Sequence, residues 1–307
     1  MKKVLAIVGP TASGKTKLSI EVAKDLDAEI ISADSRQVFK HIPIASAIPS
    51  VKERQGIVHH FLEEYNLNEE FNAGKFGILG RKRIDEIFSR GKTPLIVGGS
   101  GLYLKSLIDG FYEEEISSKE IRKQLYDKLK LKGKEFLYNE LKEIDKIAAS
   151  RMIPQNVRRV IRALEIYYTS GKKISDLQKK TVKIDFVTLQ VGLMLDRKYL
   201  YKRINERVDD MIKKGLIDEV QKLKDTGFNY INYNSLNTVG IKEVFQYLAG
   251  ELNYTEMVDL IKQNSRRYAK RQITWFRNDD RIRWIEVKEK DRIEVLRNEI
   301  CNLFKNF

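Results

Sequence analysis

Gly9-Pro10-Thr11-Ala12-Ser13-Gly14-Lys15-Thr16 follows a short β-rich run, residues 4–8, and precedes a helical pattern through Leu18, Ile20, Val22, Ala23 and Leu26. Two glycines permit a tight turn and close backbone approach. Backbone N–H groups then converge on phosphate oxygens at the positive end of the following helix. Lys15 can place its ammonium between phosphates, and the Thr16 hydroxyl suits Mg²⁺. Strand, glycine-rich loop and helix together predict an enzyme that holds a di- or triphosphate at 9–16.

Outward from this loop the same alternation continues. Residues 30–33 read as a second buried strand ending at Asp34, and 81–88 as a helix. Residues 93–97 read as a buried strand stopped by Gly98-Gly99-Ser100-Gly101. Residues 187–195 restore a strand, 197–277 are helical in pattern, and 282–287 form a possible last strand. Such alternation predicts an α/β fold, a P-loop NTPase-like core with a mainly parallel sheet. From about Glu113 to about Lys180 long charged helical stretches replace it, so a helical insertion domain interrupts the core. The expected division is a core of 1–115 and 185–307, with a helical excursion at about 208–260, and an insertion over 116–184. Ligands of open parallel sheets bind beyond the C-terminal ends of the strands. The loop at 9–16, Asp34 and Gly98 to Gly101 all fall there.

An acid is missing where an NTPase usually has one to help hold Mg²⁺ and position water. Leu95-Ile96-Val97 runs into Gly98-Gly99. The acid stands instead at Asp34, in Ala33-Asp34-Ser35-Arg36-Gln37. There it could bind metal, accept a proton from a nucleophile, or cap a helix.

The 307 residues carry a formal charge of +14, with 42% hydrophobic residues. A sizeable core can form, and the charge points to a polyanionic partner. Nucleic acid comes before membrane, because no acylation or anchoring signal appears. One cysteine, Cys301, excludes a disulfide framework and a thiolate zinc cluster and fits a reducing cytoplasm. Met1-Lys2-Lys3 with residues 4–8 is too short for a signal peptide and leads straight into the loop. Cytoplasmic localisation is therefore expected.

Cations cluster in two places. Arg158 and Arg162 share a helical face, with Arg159 beside them. Between Lys262 and Arg283, cations alternate with Tyr268, Trp275 and Phe276, an arrangement suited to phosphates and unpaired bases. A solvated helix with its aromatics in the core is the other reading. Arg203 and Arg207, four apart, could close over phosphate or pair with Glu206 and Asp210. His59-His60 cannot readily share a metal, because adjacent strand residues face opposite ways, so a structural or substrate-edge role is expected.

Six motifs occur together: Gly-Pro-Thr-Ala-Ser-Gly-Lys-Thr at 9–16, Asp34-Ser35-Arg36-Gln37, Gly98-Gly99-Ser100-Gly101-Leu102-Tyr103, Arg159-Val160-Ile161-Arg162-Ala163-Leu164-Glu165, Val239-Gly240-Ile241-Lys242-Glu243, and Arg-Tyr-Ala-Lys-Arg-Gln-Ile-Thr-Trp-Phe-Arg at 267–277. With them, as far as about Trp284, the chain resembles the bacterial tRNA dimethylallyltransferases. The resemblance implies transfer of a dimethylallyl group from dimethylallyl diphosphate to N6 of the adenosine 3′ to the anticodon, with Mg²⁺ and without ATP. It implies that Gly9, Pro10, Thr11, Ala12, Ser13, Gly14, Lys15 and Thr16 hold the diphosphate, with Thr16 at the metal. Asp34 would receive the N6 proton, with Thr11, Ser100 and Arg203 beside the reacting atoms. Asp34, Ser35, Arg36 and Gln37 would meet the flipped adenosine and its neighbours. Arg158, Arg159, Val160, Ile161, Arg162, Lys270, Arg271, Gln272, Ile273, Thr274, Trp275, Phe276 and Arg277 would grip the anticodon stem-loop. A monomer with no membrane partner is expected. Departures from the family pattern are the run at 44–49, Phe39 for Tyr, Ser100 for Thr, Asn156 for Asp and Ile241 for Tyr. Competing classes are a P-loop kinase of a nucleotide or small metabolite and a non-catalytic RNA-binding module.

Overall fold

The apolar run before the loop becomes β1 (Lys2–Val8), and the helix after it α1 (Lys15–Asp25). Next come β2 (Ala28–Ala33), two single-turn helices, α2 (Pro43–Ser46) and α3 (Val51–Arg54), and β3 (His59–His60). Then follow α4 (Ala73–Ser89), β4 (Thr93–Gly98) and α5 (Gly101–Ile108). The computed structural model describes residues 1–111, 116–179 and 182–307. After the second gap come β5 (Phe186–Leu195), α10 (Arg197–Lys213), α11 (Leu216–Asp225), α12 (Ile241–Leu248), α13 (Tyr254–Arg277), β6 (Ile282–Val287) and α14 (Ile293–Lys305). The helices between the gaps, α6 to α9, are given below.

The strands form one sheet in the order β3-β2-β4-β1-β5-β6, with every pair parallel. This is the predicted α/β class. Leu5, Ile7, Ile30, Leu95, Leu189 and Val191 point to one face, where residues of α1, α10, α13 and α14 cover them. Strand residues alternate, so Val4, Ala6, Val8, Ile31 and Ile96 face the other side, where α4 meets β4 and α5. Two covered faces explain why β1 and β4 read as continuous apolar runs. β1 is central, so the loop after it opens at the middle of the sheet's C-terminal edge.

β3 holds the His59-His60 pair read above as adjacent strand residues, and α14 was not anticipated. β3 is two residues long and carries no pattern. His60 Nε2 meets the buried Glu29 carboxylate at 2.7 Å, and Arg90 grips the same carboxylate at 2.7 Å. Arg90, with His60 adding to it against burial, holds Glu29 below the ordinary carboxylate range. His59 turns its Nδ1 to the Ile57 carbonyl at 2.8 Å. The two histidines thus point to different partners.

Met1–Ile108 and Ile184–Phe307 make one compact unit, and Asp109–Lys183 a second. The sequence boundaries stood at 115/116 and 184/185. Residue 115, and Glu113 and Lys180 where the texture changes, lie outside the described residues. In the second unit α6 (Lys119–Ile144) is broken at Gly133, whose φ is 81°. It continues through α7 (Lys146–Ser150), α8 (Val157–Ser170) and α9 (Ile174–Leu177) around Leu137, Leu141, Val160, Ile161, Leu164 and Ile166.

Candidate active site

Gly14 sits at the mouth of α1 with φ 91°, in the left-handed region that glycine tolerates. No side chain caps α1 and no acid stands in its first turn, so its leading amides remain free for an anion. Lys15 folds back over the loop and donates to the carbonyls of Gly9 (2.9 Å) and Pro10 (2.6 Å). Burial pushes its ammonium down to about 7, Arg207 adding to the fall and Asp34 opposing it.

Two arginines of α10 face the same loop. A Cβ on Gly14 would lie 3.4 Å from a terminal nitrogen of Arg203, whose guanidinium also donates to the Tyr199 hydroxyl at 3.2 Å. Arg207 makes no hydrogen bond or ion pair among the described residues. Its charge is disfavoured by burial and favoured by Asp34 and Tyr268. Neither arginine pairs with Glu206 or Asp210, so the loop faces two cations free for an anion.

Across the cleft, Asp34 follows β2. Its Oδ1 accepts the Arg36 amide at 2.9 Å, closing a turn rather than capping a helix. The second carboxylate oxygen has no hydrogen-bond partner among the described residues. Arg36 donates to the carbonyls of Asn234 (2.7 Å), Ser235 and Asn237. Gln37 accepts from the Ser32 hydroxyl and donates to the carbonyls of Ser46 and Ala47. Both side chains are therefore spent on holding the walls of the cleft. The atypical 44–49 segment is also held from α11, where Glu219 accepts the amides of Ile44 and Ala45 at 2.8 and 2.9 Å.

The cleft measures about 930 Å³. Thr11 to Lys17, Asp34 to Gln37, Val97 to Gly99, Arg203, Arg207, Tyr268 and Arg271 are among its walls. Ser100 is not among them. Its hydroxyl accepts the Ser35 amide at 3.1 Å and meets the Tyr268 hydroxyl, so it supports the Asp34 turn from behind. Burial pushes Tyr268 up to about 12, with Asp34 adding to the rise. Thr16 is the metal candidate. No group of three His, Cys, Asp or Glu side chains able to hold an ion occurs among the described residues. The Thr16 hydroxyl, on the cleft wall, is an oxygen donor of the kind Mg²⁺ takes.

The basic stretches divide by burial. On α13, Lys270, Arg271, Thr274, Trp275 and Arg277 are exposed, and Ile273 packs against the core. Phe276 and Gln272 are buried. On α8, Arg158 and Arg159 are exposed but Val160 and Ile161 lie in the core. Arg162 turns inward to the Ile116 carbonyl (2.8 Å) and Glu165 (3.0 Å). Burial pushes Glu165 up, but Arg122, the Ser118 amide and Arg162 outweigh it and hold the carboxyl below its ordinary value. Val160, Ile161, Gln272 and Phe276, also expected at RNA, lie on the buried faces of their helices, because an amphipathic helix cannot present every residue of a run. Gln272 was missed in its actual position, as a bridge between loops. Its spacing of four from Tyr268 was the available signal.

The family model described as IPP transferase matches residues 37–279. A protein of Acetivibrio thermocellus named tRNA dimethylallyltransferase is 45% identical over 301 residues, covering 96% of this chain and 95% of that one. One of Clostridioides difficile with the same name is 42% identical, covering 100% and 99%. A solved full-length tRNA isopentenylpyrophosphate transferase of Bacillus halodurans is 38% identical, with a TM-score of 0.73, and the match covers 100% of this chain and 98% of that one. A eukaryotic dimethylallyltransferase solved while acting on tRNA is 32% identical, with a TM-score of 0.78, covering 94% of this chain and 75% of that one.

Proposed function

The chain belongs to the IPP transferase family and is a prenyltransferase that modifies tRNA; from that premise we propose that it moves a dimethylallyl group from dimethylallyl diphosphate to N6 of the adenosine 3′ to the anticodon. The supporting observation is the pairing across one cleft. A cationic cradle of free amides, Lys15, Arg203 and Arg207 faces a carboxylate with one unpartnered oxygen. The end of β4, where an NTPase acid would stand, is Gly98.

An adenine N6 amine is a weak nucleophile because its lone pair is delocalised. Asp34 accepts the proton as the N–C bond forms. The C–O bond to the diphosphate breaks, and the departing oxygens gather charge. The loop amides, Lys15 and the two arginines stabilise that charge where it develops. Thr16 would help hold Mg²⁺, which neutralises further charge on the diphosphate when bound. The adenosine must leave its stack to enter a recessed cleft. The experiment is a radioassay. Label should pass from dimethylallyl diphosphate to an anticodon stem-loop. Transfer of γ-phosphate from ATP, with no prenyl transfer, would overturn the proposal.

Two further results are expected. Donor affinity should fall as pH rises above 7. Below about 7 Lys15 is charged in the empty cleft; above it, binding must restore the proton. The loss approaches about tenfold per pH unit. Calorimetry with the donor between about pH 7.5 and 9.5 measures it, since a phosphate's own second ionisation, near 6, is then complete. Lys15→Met should bind weakly with a flat profile, and a flat wild-type profile would remove the assignment.

Reversing Lys270, Arg271 and Arg277 to glutamate should weaken tRNA binding and flatten its dependence on salt. Each lost phosphate contact lowers the slope by about 1. Filter binding between about 50 and 200 mM salt checks this; an unchanged slope would clear that face of α13 of a role.

A further inference from the structure

Gln272 belongs to the stretch expected to grip RNA, yet its side chain is only 6% exposed. Its Oε1 accepts the Thr11 amide at 2.9 Å, and its Nε2 donates to the Gly99 carbonyl at 2.9 Å. The amide orientation follows from the partners, because an N–H needs the oxygen and a carbonyl needs the NH₂. Any side chain at 99 would collide with Nε2, so Gly99 is shaped to receive it. One turn earlier on α13, Tyr268 meets Ser100, which holds the Ser35 amide behind Asp34. The two residues lie four apart and share one face of the helix. Tyr268 therefore bears on the acceptor wall, while Gln272 fixes the diphosphate loop against the end of β4.

We infer that Gln272 is a positioning residue that sets the separation between the diphosphate loop and the Asp34 turn, and is not an RNA contact. This rests on the reading of the cleft as a site of prenyl transfer. The Thr11 amide is withdrawn from the anion cradle and used to anchor the loop. A shift of about 1 Å between donor and acceptor is enough to cost a large factor in rate. The loss therefore falls on kcat and leaves tRNA affinity intact.

The test compares Gln272→Leu and Gln272→Glu with the wild-type protein, measuring kcat at saturating tRNA, tRNA affinity, and kcat against pH. Leucine removes both hydrogen bonds and should lower kcat about 10- to 100-fold, with tRNA affinity within about twofold. Glutamate is the sharper probe, since it keeps the shape. A protonated glutamic acid can donate to the Gly99 carbonyl and accept from the Thr11 amide, as glutamine does. A carboxylate would face that carbonyl without a proton, so the acid form is the one that fits. The ratio of Gln272→Glu to wild-type kcat should therefore rise as pH falls. The charged and titratable groups around the same cleft are Lys15 and Lys17 of α1, Asp34 and Arg36 after β2, Tyr199, Lys202, Arg203, Glu206, Arg207 and Asp210 of α10, Lys242 and Glu243 of α12, Tyr268 and Arg271 of α13, and Glu289 after β6. They are common to both proteins and cancel in the ratio.

A loss of stability alone would lower activity without this pH-dependent recovery, so a flat ratio overturns the proposal. So does weakened tRNA affinity with kcat restored at saturation. If Gln272→Leu fails to fold, Gln272→Glu carries the test. Wild-type protein without prenyl transfer would overturn the underlying reading, and the proposal with it. Wild-type transfer with unaltered variants would overturn the role of Gln272 alone.

Discussion

Replacing Asp34 with alanine is expected to cut prenyl transfer by at least about 100-fold while tRNA still binds. Loss of a positioned base removes the acceptor for the N6 proton at the moment the N–C bond forms. Asp34 lines the cleft beside the cationic loop and leaves one carboxylate oxygen without a partner. Alanine also breaks the bond from Oδ1 to the Arg36 amide, so a control is needed. Asp34→Asn retains an oxygen for that amide and keeps the turn. It lacks the basicity, so its rate should fall as far as that of alanine. Single-turnover transfer to a labelled stem-loop, beside filter binding, separates the two effects. An asparagine variant with near wild-type rate would end the assignment of Asp34 as base. One in which rate and tRNA affinity fall together would make Asp34 a binding group instead.

The second large effect is structural. Gly98 ends β4, paired with Ala33 of β2 on one side and Val8 of β1 on the other. A Cβ there would collide with the Ala33 carbonyl and the Ala33 side chain. Backbone cannot yield without parting the two strands, and Ala33 is joined directly to Asp34. Gly98→Ala should therefore cost at least about 3 kcal/mol and abolish transfer even in molecules that still fold. Gly91→Ala is the comparison. Its φ is 72°, and nothing lies within 4 Å of the added methyl. Its cost is the backbone strain alone, about 1–2 kcal/mol. Urea unfolding of the two variants reads the difference. Equal midpoints would show that the strand ends accommodate the methyl.

The core was legible because burial on both faces writes itself as apolar runs, at 4–8, 30–33 and 93–97, and each run stops at a loop residue with a chemical purpose. Gly14, Lys15 and Thr16 were readable for the same reason: a local turn sets their geometry. The partners of Arg36 were not, since it reaches carbonyls about 200 residues away that no local pattern announces. The burial of Gln272 and Phe276 was not readable, because a basic and aromatic stretch looks uniform until the helix divides it into two faces. His59-His60 could be withdrawn from metal chemistry by strand geometry, but the buried Glu29 waiting for His60 was visible only in three dimensions.

The place of β1 between β4 and β5 sets an order of events during synthesis. β5 leaves the ribosome only after the whole of Asp109–Lys183, a contiguous unit with a core of its own. The first strand must wait, flanked on one side only, while that later-made segment acquires its fold. The half-built sheet meanwhile offers an unpaired apolar edge to neighbouring chains and to chaperones. The time that edge stays open is at least the time needed to make the 75 residues of Asp109–Lys183.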